Sequence, residues 1–308
     1  MSLRLKKQKS IHLEETYKNA DGTTVKKVLE RLSTWEEIPE WQKDNEHILK
    51  GYVRETNSFN RCIKSLLYLH NETVNIYSHF IPGICFLSII FFNRNYVKNF
   101  VTTTAMDYFF INVFFFGAFT CLTLSSIFHC FKSHSLKVAV FGNKLDYLGI
   151  VILIVCSMIS ILYYGFYDNA LFFYLFSSLT LSFGIACGIV SLKDRFRTSQ
   201  WRPYRAALFV VFGLSAVLPI ITGIWYYGYS EAYTRVQLPW VVLEGVFYIF
   251  GAFLYAIRFP EKFHPGKYDI WGHSHQIFHI LVVIAALCHL QGLIGSYELV
   301  HERLGMNL

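Results

Sequence analysis

Gly272-His273-Ser274-His275-Gln276-Ile277-Phe278-His279 runs straight into Ile280-Leu281-Val282-Val283-Ile284-Ala285-Ala286-Leu287. On a helix, residues four apart share one face, so His275 and His279 point the same way about 6 Å apart along the axis. That spacing suits one metal ion. The apolar run that follows is fit for lipid, where an imidazole pair without a partner is costly and is read by default as functional. We read the two histidines as ligands of a buried metal on a membrane-crossing helix.

The rest of the chain has the same character. Its 308 residues are 54% hydrophobic, 18% aromatic and only 16% charged, with positive mean hydropathy. A soluble globular chain carries about 25% charged residues, so this one lacks the polar surface that water requires. Apolar runs recur near 75–93, 106–130, 145–166, 170–192, 205–227, 238–258 and 275–297, each long enough to cross roughly 30 Å of hydrocarbon. An all-α bundle of seven transmembrane helices is expected. Residues 1–72 form an arm and membrane entry, 73–300 the seven-helix metal-binding domain, and 301–308 a short tail. The first seventy or so residues are polar and carry no cleavable signal pattern, so the first span is expected to serve as its own signal. The seven cysteines are odd in number and lie mostly inside spans without a Cys-x-x-Cys pair, which predicts free thiols.

The net charge of +7 raises nucleic acid as a partner, but residues 1–72 hold 13 Lys/Arg against 11 Asp/Glu with no interleaving of basic and aromatic residues. Nucleic acid is excluded. The basic excess reports orientation instead. The arm and the connections after spans two, four and six together hold 24 Lys/Arg, against 4 on the other side. By the positive-inside rule the N-terminus is cytoplasmic and the C-terminal tail is outside, in the endoplasmic reticulum or plasma membrane.

Within the arm, Val25 to Leu32 shows helical periodicity, and Trp35, Ile38 and Trp41 are expected to pack this short helical arm on the bundle as a cap. Asn71-Glu72-Thr73 is a glycosylation sequon that should stay unmodified on the cytoplasmic side, which makes it a test of topology. The entry to span one is dense in polar groups. Asn71 or Thr73 is expected to cap its helix, and His70, Glu72, Asn75, Ser78 and His79 form either a hydrogen-bonded plug or support for the metal site. Lys193 to Arg205 reads as a cationic rim for lipid headgroups. Pro82 and Pro219 should kink spans one and five or open space beside them. Glu244, a lone carboxylate in span six, either pairs with a Tyr or Ser on a neighbouring helix or contacts substrate.

Span two ends Ser125-Ser126-Ile127-Phe128-His129-Cys130-Phe131-Lys132, and span three begins Lys144-Leu145-Asp146. His129 lies about one turn inside the surface marked by Lys132, with Ser125 on the same face slightly deeper. Asp146, His275 and His279 fall at a similar depth on the same side. Three imidazoles are the usual protein share of a catalytic zinc site, in which the metal lowers the pKa of its water to about 7. Asp146 then either closes the coordination shell as a fourth ligand or hydrogen-bonds the water and takes its proton. Ser125 would hold a carbonyl or the attacking water. Membrane di-iron centres need many more histidines in His-x-x-His-His repeats, and no two histidines are adjacent here, so zinc is preferred over iron.

Taken in order, Asp44-Asn45-Glu46, Gly51-Tyr52, His70-Asn71-Glu72-Thr73-Val74-Asn75, Ser125 with His129, Asp146, Phe259-Pro260-Glu261, His264-Pro265-Gly266-Lys267-Tyr268-Asp269 and Ser274 to His279 form a pattern that resembles the progestin and adipoQ receptor superfamily. That superfamily includes the adiponectin receptors, fungal zinc-homeostasis membrane proteins and haemolysin-III-like proteins. The wording around Trp271 to Gln276 looks most like the fungal branch. The resemblance implies a seven-helix bundle with cytoplasmic N-terminus, zinc held by His129, His275 and His279, Asp146 behind the zinc-bound water, and Ser125 beside the site. Its members are linked to hydrolysis of the ceramide amide bond, to response to extracellular protein or steroid ligands, and to zinc and lipid homeostasis. The expectation is therefore a zinc hydrolase acting on a ceramide-like membrane lipid. The alternative is a ligand-responsive receptor in which zinc is structural. Zinc transport is the weakest reading, because the ligands cluster in one leaflet and the other half offers little besides His289.

Overall fold

The computed structural model describes residues 12–18, 24–30, 32–193 and 199–306. The arm begins with two antiparallel strands, β1 (His12–Lys18) and β2 (Thr24–Glu30), in a register that pairs His12 with Glu30 and Lys18 with Thr24. The helix expected over Val25 to Leu32 is therefore a strand. Asp21-Gly22, the dipeptide that most strongly favours a hairpin reversal, stands between the strands in the sequence and outweighs a weak helical period. The short pair β3 (Leu32–Ser33) and β4 (Tyr52–Val53) follows, then α1 (Phe59–Ser65), capped by the Ser58 hydroxyl, which accepts from the Arg61 amide.

The membrane spans are α2 (Thr73–Tyr96), α3 (Ala105–Phe131), α4 (Leu136–Gly165), α5 (Ala170–Leu192), α6 (Arg202–Leu214) with α7 (Val217–Tyr227), α9 (Leu238–Ile257) and α10 (Ser274–Met306). The short α8 (Tyr229–Arg235) joins α7 to α9. Among the described residues seven segments are long and apolar enough to cross a membrane, and the chain is an integral membrane protein. Span five is broken between α6 and α7. Pro219 has no amide proton to give Ser215, and the turn before it closes instead on three-residue hydrogen bonds such as Ala216 N to Gly213 O. The last helix runs on to Met306, past the end expected near residue 297, and its final turns bury His301.

The core belongs to α2, α3, α4 and α10, where Phe86, Ile111, Phe114, Phe115, Leu122, Leu153, Leu293 and Tyr297 pack together. The span in α3 is 56% buried and that in α9 only 11%, so α9 turns most of its side chains to lipid. Lipid tails are as apolar as leucine, so these helices are held by close fit and polar contacts. At Gly117 an added Cβ would stand 2.5 Å from the Cβ of Cys156, and at Gly184 2.5 Å from Val155. Those glycines let α3 meet α4 and α4 meet α5.

At the end of the bundle where α2, α4 and α10 begin, residues 32–72 fasten two connections. Thr56 and Asn57 donate to the carbonyls of Ser133 and His134 in the α3–α4 turn. The Leu49 amide donates to Asp269 at 2.7 Å, and Asn45 Nδ2 donates to Glu261 at 3.1 Å in the α9–α10 loop. Ile38 is buried and Trp35 packs against Tyr52, so this part of the arm is the cap expected from its aromatic residues. At the opposite end Asp107 accepts from the Thr104 amide at 2.8 Å and lies 3.1 Å from His301 Nε2, which ties α3 to the last turns of α10.

Candidate metal centre

The histidine pair and its distant partner meet. His129 near the end of α3 and His275 and His279 in the first turns of α10 bring three potential ligand atoms within 4.8 Å of one another. Their rings pack edge to face at centroid separations of 4.8 to 4.9 Å.

Two of the rings have their tautomer set by a neighbour. His129 Nδ1 lies 2.7 Å from Glu72 Oε2, and His279 Nδ1 lies 3.0 Å from the Asn75 carbonyl oxygen. A carboxylate and a carbonyl only accept, so both Nδ1 atoms carry the proton and both Nε2 atoms keep a lone pair. His129 Nε2 is buried without a hydrogen-bond partner. A buried nitrogen of this kind calls for a donor or a cation. Three imidazoles, two of them with the outer nitrogen fixed in this way, fit a zinc ion, which is commonly held by histidine nitrogens.

Glu72 does more than hold His129. Its carboxylate also accepts from Lys132 Nζ at 2.7 Å and Asn75 Nδ2 at 2.6 Å, so it links the entry of α2 to the end of α3. Burial pushes the Glu72 carboxyl up, but the charge of Lys132 and the hydrogen bonds from Lys132 and His129 outweigh it and hold it well below the ordinary carboxylate range. His79 stacks on His279 with ring centroids 3.7 Å apart, and its Nε2 lies 3.2 Å from the His279 carbonyl. The polar entry to span one is thus both a plug and a support for the three histidines. At this entry the Thr73 hydroxyl accepts from the His70 amide at 2.9 Å and His70 Nδ1 accepts from the Glu72 amide at 3.2 Å. Asn71 itself is buried, with its backbone amide donating to the Gly51 carbonyl.

Asp146 and Ser125 are buried beside the histidines and line the same cavity as His275 and His279. Asp146 stands outside the group of three whose ligand atoms lie within 4.8 Å of one another, an arrangement that suits a neighbour of the metal more than a fourth ligand.

These residues form one wall of a cavity of about 240 Å³ between α3, α4, α6, α9 and α10. Its lining is overwhelmingly apolar. Leu214 and Ile249 line it and are also 48% and 41% exposed on the outside of the bundle, so the cavity reaches the lipid-facing surface between α6 and α9. Arg205 lies near this mouth with its guanidinium 5.0 Å from the Tyr147 ring. It is buried, and does not stand in a headgroup rim as expected; residues 194–198 of that rim lie outside the described residues. Glu244 faces the far part of the cavity and pairs with His289, Nδ1 to Oε2 at 2.9 Å, a partner other than the Tyr or Ser expected. Sequence spacing had no means of pairing them, because they sit on different helices 45 residues apart.

A family model described as haemolysin-III related matches residues 67–290. The chain is 59% identical to the ADIPOR-like receptor IZH2 of Saccharomyces cerevisiae, over 99% of this chain and 98% of that protein. It is 44% identical to the ADIPOR-like receptor IZH1 of Eremothecium gossypii, over 95% and 93%. With an adiponectin receptor protein of Drosophila melanogaster it shares 40% identity over 87% of this chain and 61% of the relative.

Proposed function

We propose that this chain, which belongs to the haemolysin-III-related family, is a zinc-dependent hydrolase that cleaves the amide bond of ceramide-like lipids. The observation that supports it most is the meeting of His129 with His275 and His279, the last two of which line an apolar cavity together with Ser125 and Asp146. A zinc ion held by the three histidines would supply Lewis acidity and a water acidified to a pKa of about 7. Asp146 takes the proton of the attacking water and hands it to the departing amine nitrogen. Ser125 holds the Asp146 carboxylate in place for that transfer. Glu72 and the Asn75 carbonyl keep two imidazoles in the tautomer that directs Nε2 inward. The opening between α6 and α9 admits the lipid sideways, and the cavity walls keep bulk water from its chains. From the basic loops we place the N-terminus in the cytoplasm, which sets the site beneath the inner headgroups.

The test is ceramide turnover and elemental zinc measured on the same purified protein. Asp146→Ala lowers turnover at least about 100-fold while zinc stays at the wild-type level. Ser125→Ala, which only frees the carboxylate, costs on the order of tenfold. Wild-type protein that holds zinc and leaves ceramide intact overturns the reading. That outcome would favour a receptor for an extracellular protein or steroid ligand, in which the metal braces α2, α3 and α10. The same Glu72 to His129 and Asn75 to His279 bonds support this second reading, since they join those three helices.

A further inference from the structure

The deep end of the cavity carries polar chemistry that amide hydrolysis leaves unused. Ser157 and Ser160 on α4, Glu244 on α9 and His289 on α10 gather there, with Tyr248 one turn along α9 toward the metal end; His289 is about 15 Å from His279 along α10, at ten residues of 1.5 Å rise. Ser157, Glu244, Tyr248 and His289 all line the cavity. Such a group within the span of a membrane is expensive unless something uses it.

Its hydrogen bonds do not close. The Ser157 hydroxyl and the Tyr248 hydroxyl are buried with no partner. His289 Nδ1 gives its proton to Glu244, which leaves Nε2 as an acceptor. The nearest group to that Nε2 is Ser160 Oγ at 3.4 Å, and Ser160 has already committed its proton to the Ser157 carbonyl at 2.8 Å. The cluster therefore offers two hydroxyl donors and an unmet acceptor around one space. A ligand carboxylate there would be repelled by Glu244, and a ketone would accept without satisfying His289. A hydroxyl both donates and accepts, so it answers both needs.

We propose that this cluster is a second recognition site, for a hydroxyl on the chain of the bound lipid roughly ten to twelve carbons from its carbonyl. The spacing follows from the 15 Å separation and about 1.25 Å of advance per bond in a zigzag of ~1.5 Å carbon–carbon bonds. The proposal rests on the reading that a lipid carbonyl sits at the histidines, and deepens it by naming the substrate class: mid-chain hydroxylated lipids over plain ones.

The experiment is competition binding to the purified full-length protein with octadecanoate, 12-hydroxyoctadecanoate, 2-hydroxyoctadecanoate and 12-oxo-octadecanoate. The 12-hydroxy acid is expected to bind about tenfold more tightly than the other three, the worth of one or two net hydrogen bonds. Tyr248→Phe and Ser157→Ala, which each remove one oxygen and little packing, are expected to cut that preference to about threefold or less. Equal binding of the four acids by the wild-type protein overturns the proposal, and so does a preference that both variants keep. These probes contain no amide. Protein that prefers the 12-hydroxy acid but turns over no ceramide removes the hydrolase reading alone, whereas an active enzyme without the preference removes this proposal alone.

Discussion

Glu72 decides which nitrogen of His129 is left for the site it shares with the other two histidines, and it does so from the entry to α2, 57 residues away in the sequence. Carboxylates behind a ligating imidazole fix its tautomer and raise its basicity, and their loss typically weakens metal binding 10- to 100-fold. Glu72→Ala is therefore expected to lower zinc affinity by about that factor in a chelator competition, whereas Glu72→Gln, which keeps an acceptor, loses less. Unchanged affinity in the alanine variant would show that the bond is only packing. His70 makes a second prediction at this scale. Burial is the main cause that lowers its pKa to about 4, partly offset by Glu72. The folded pKa lies below the free value of about 6.5, so the unfolded chain binds the extra proton and stability is lost as pH falls from about 6.5 to 4, by on the order of 3 kcal/mol in all. Melting temperature in detergent should drop across that window in the wild type and flatten in His70→Gln. The histidine pair, His129, Ser125 and Asp146 were legible because period and depth are properties of sequence. The bonds of Glu72 and the Asn75 carbonyl were not, because a side-chain contact between helices leaves no spacing to read.

Among the elements, α3 and α4 depend on a close approach at Gly117, where a Cβ would stand 2.5 Å from the Cβ of Cys156. Without a hydrophobic force between helices in lipid, such fit carries much of the association. Gly117→Ala is expected to lower the melting temperature, with a cost in the range of 1 to 3 kcal/mol for overpacking. Cys156→Ala gives no relief, because alanine keeps the Cβ that clashes. Cys156→Gly in the same chain restores most of the loss, and failure of that rescue would locate the strain elsewhere. The helices themselves were visible as apolar runs, and the break in span five followed from Pro219. The strand β2 was not anticipated, because a helical period over eight residues is weak evidence beside a hairpin turn. The reach of α10 to Met306 was hidden for a different reason: its final turns are amphipathic and held by pairing with α3 and α8. His301 meets Asp107, and Arg303 meets Glu231.

For the whole molecule, the distribution of 24 Lys/Arg on one side and 4 on the other remains the argument for orientation. A glycosylation acceptor appended after Leu308 is expected to gain a glycan in microsomes, and one placed before Met1 to stay unmodified. The reverse pattern would turn the bundle over and move the metal centre to the outer leaflet. At this scale the structure adds the cavity, which has His275 and His279 of the candidate metal site and the Glu244 and His289 pair along one space.

By itself the sequence determined the seven spans, the end of the bundle that holds the metal-competent residues, and which three histidines to consider, since length, period and depth are local or additive along the chain. Only the tertiary structure decided that the three rings converge, which nitrogen each of two presents, and that a cavity lies between α3, α4, α6, α9 and α10. Those are distances between residues far apart in the chain. In a membrane they are set by how closely particular glycines and polar side chains let helices meet, and no hydropathy pattern records that.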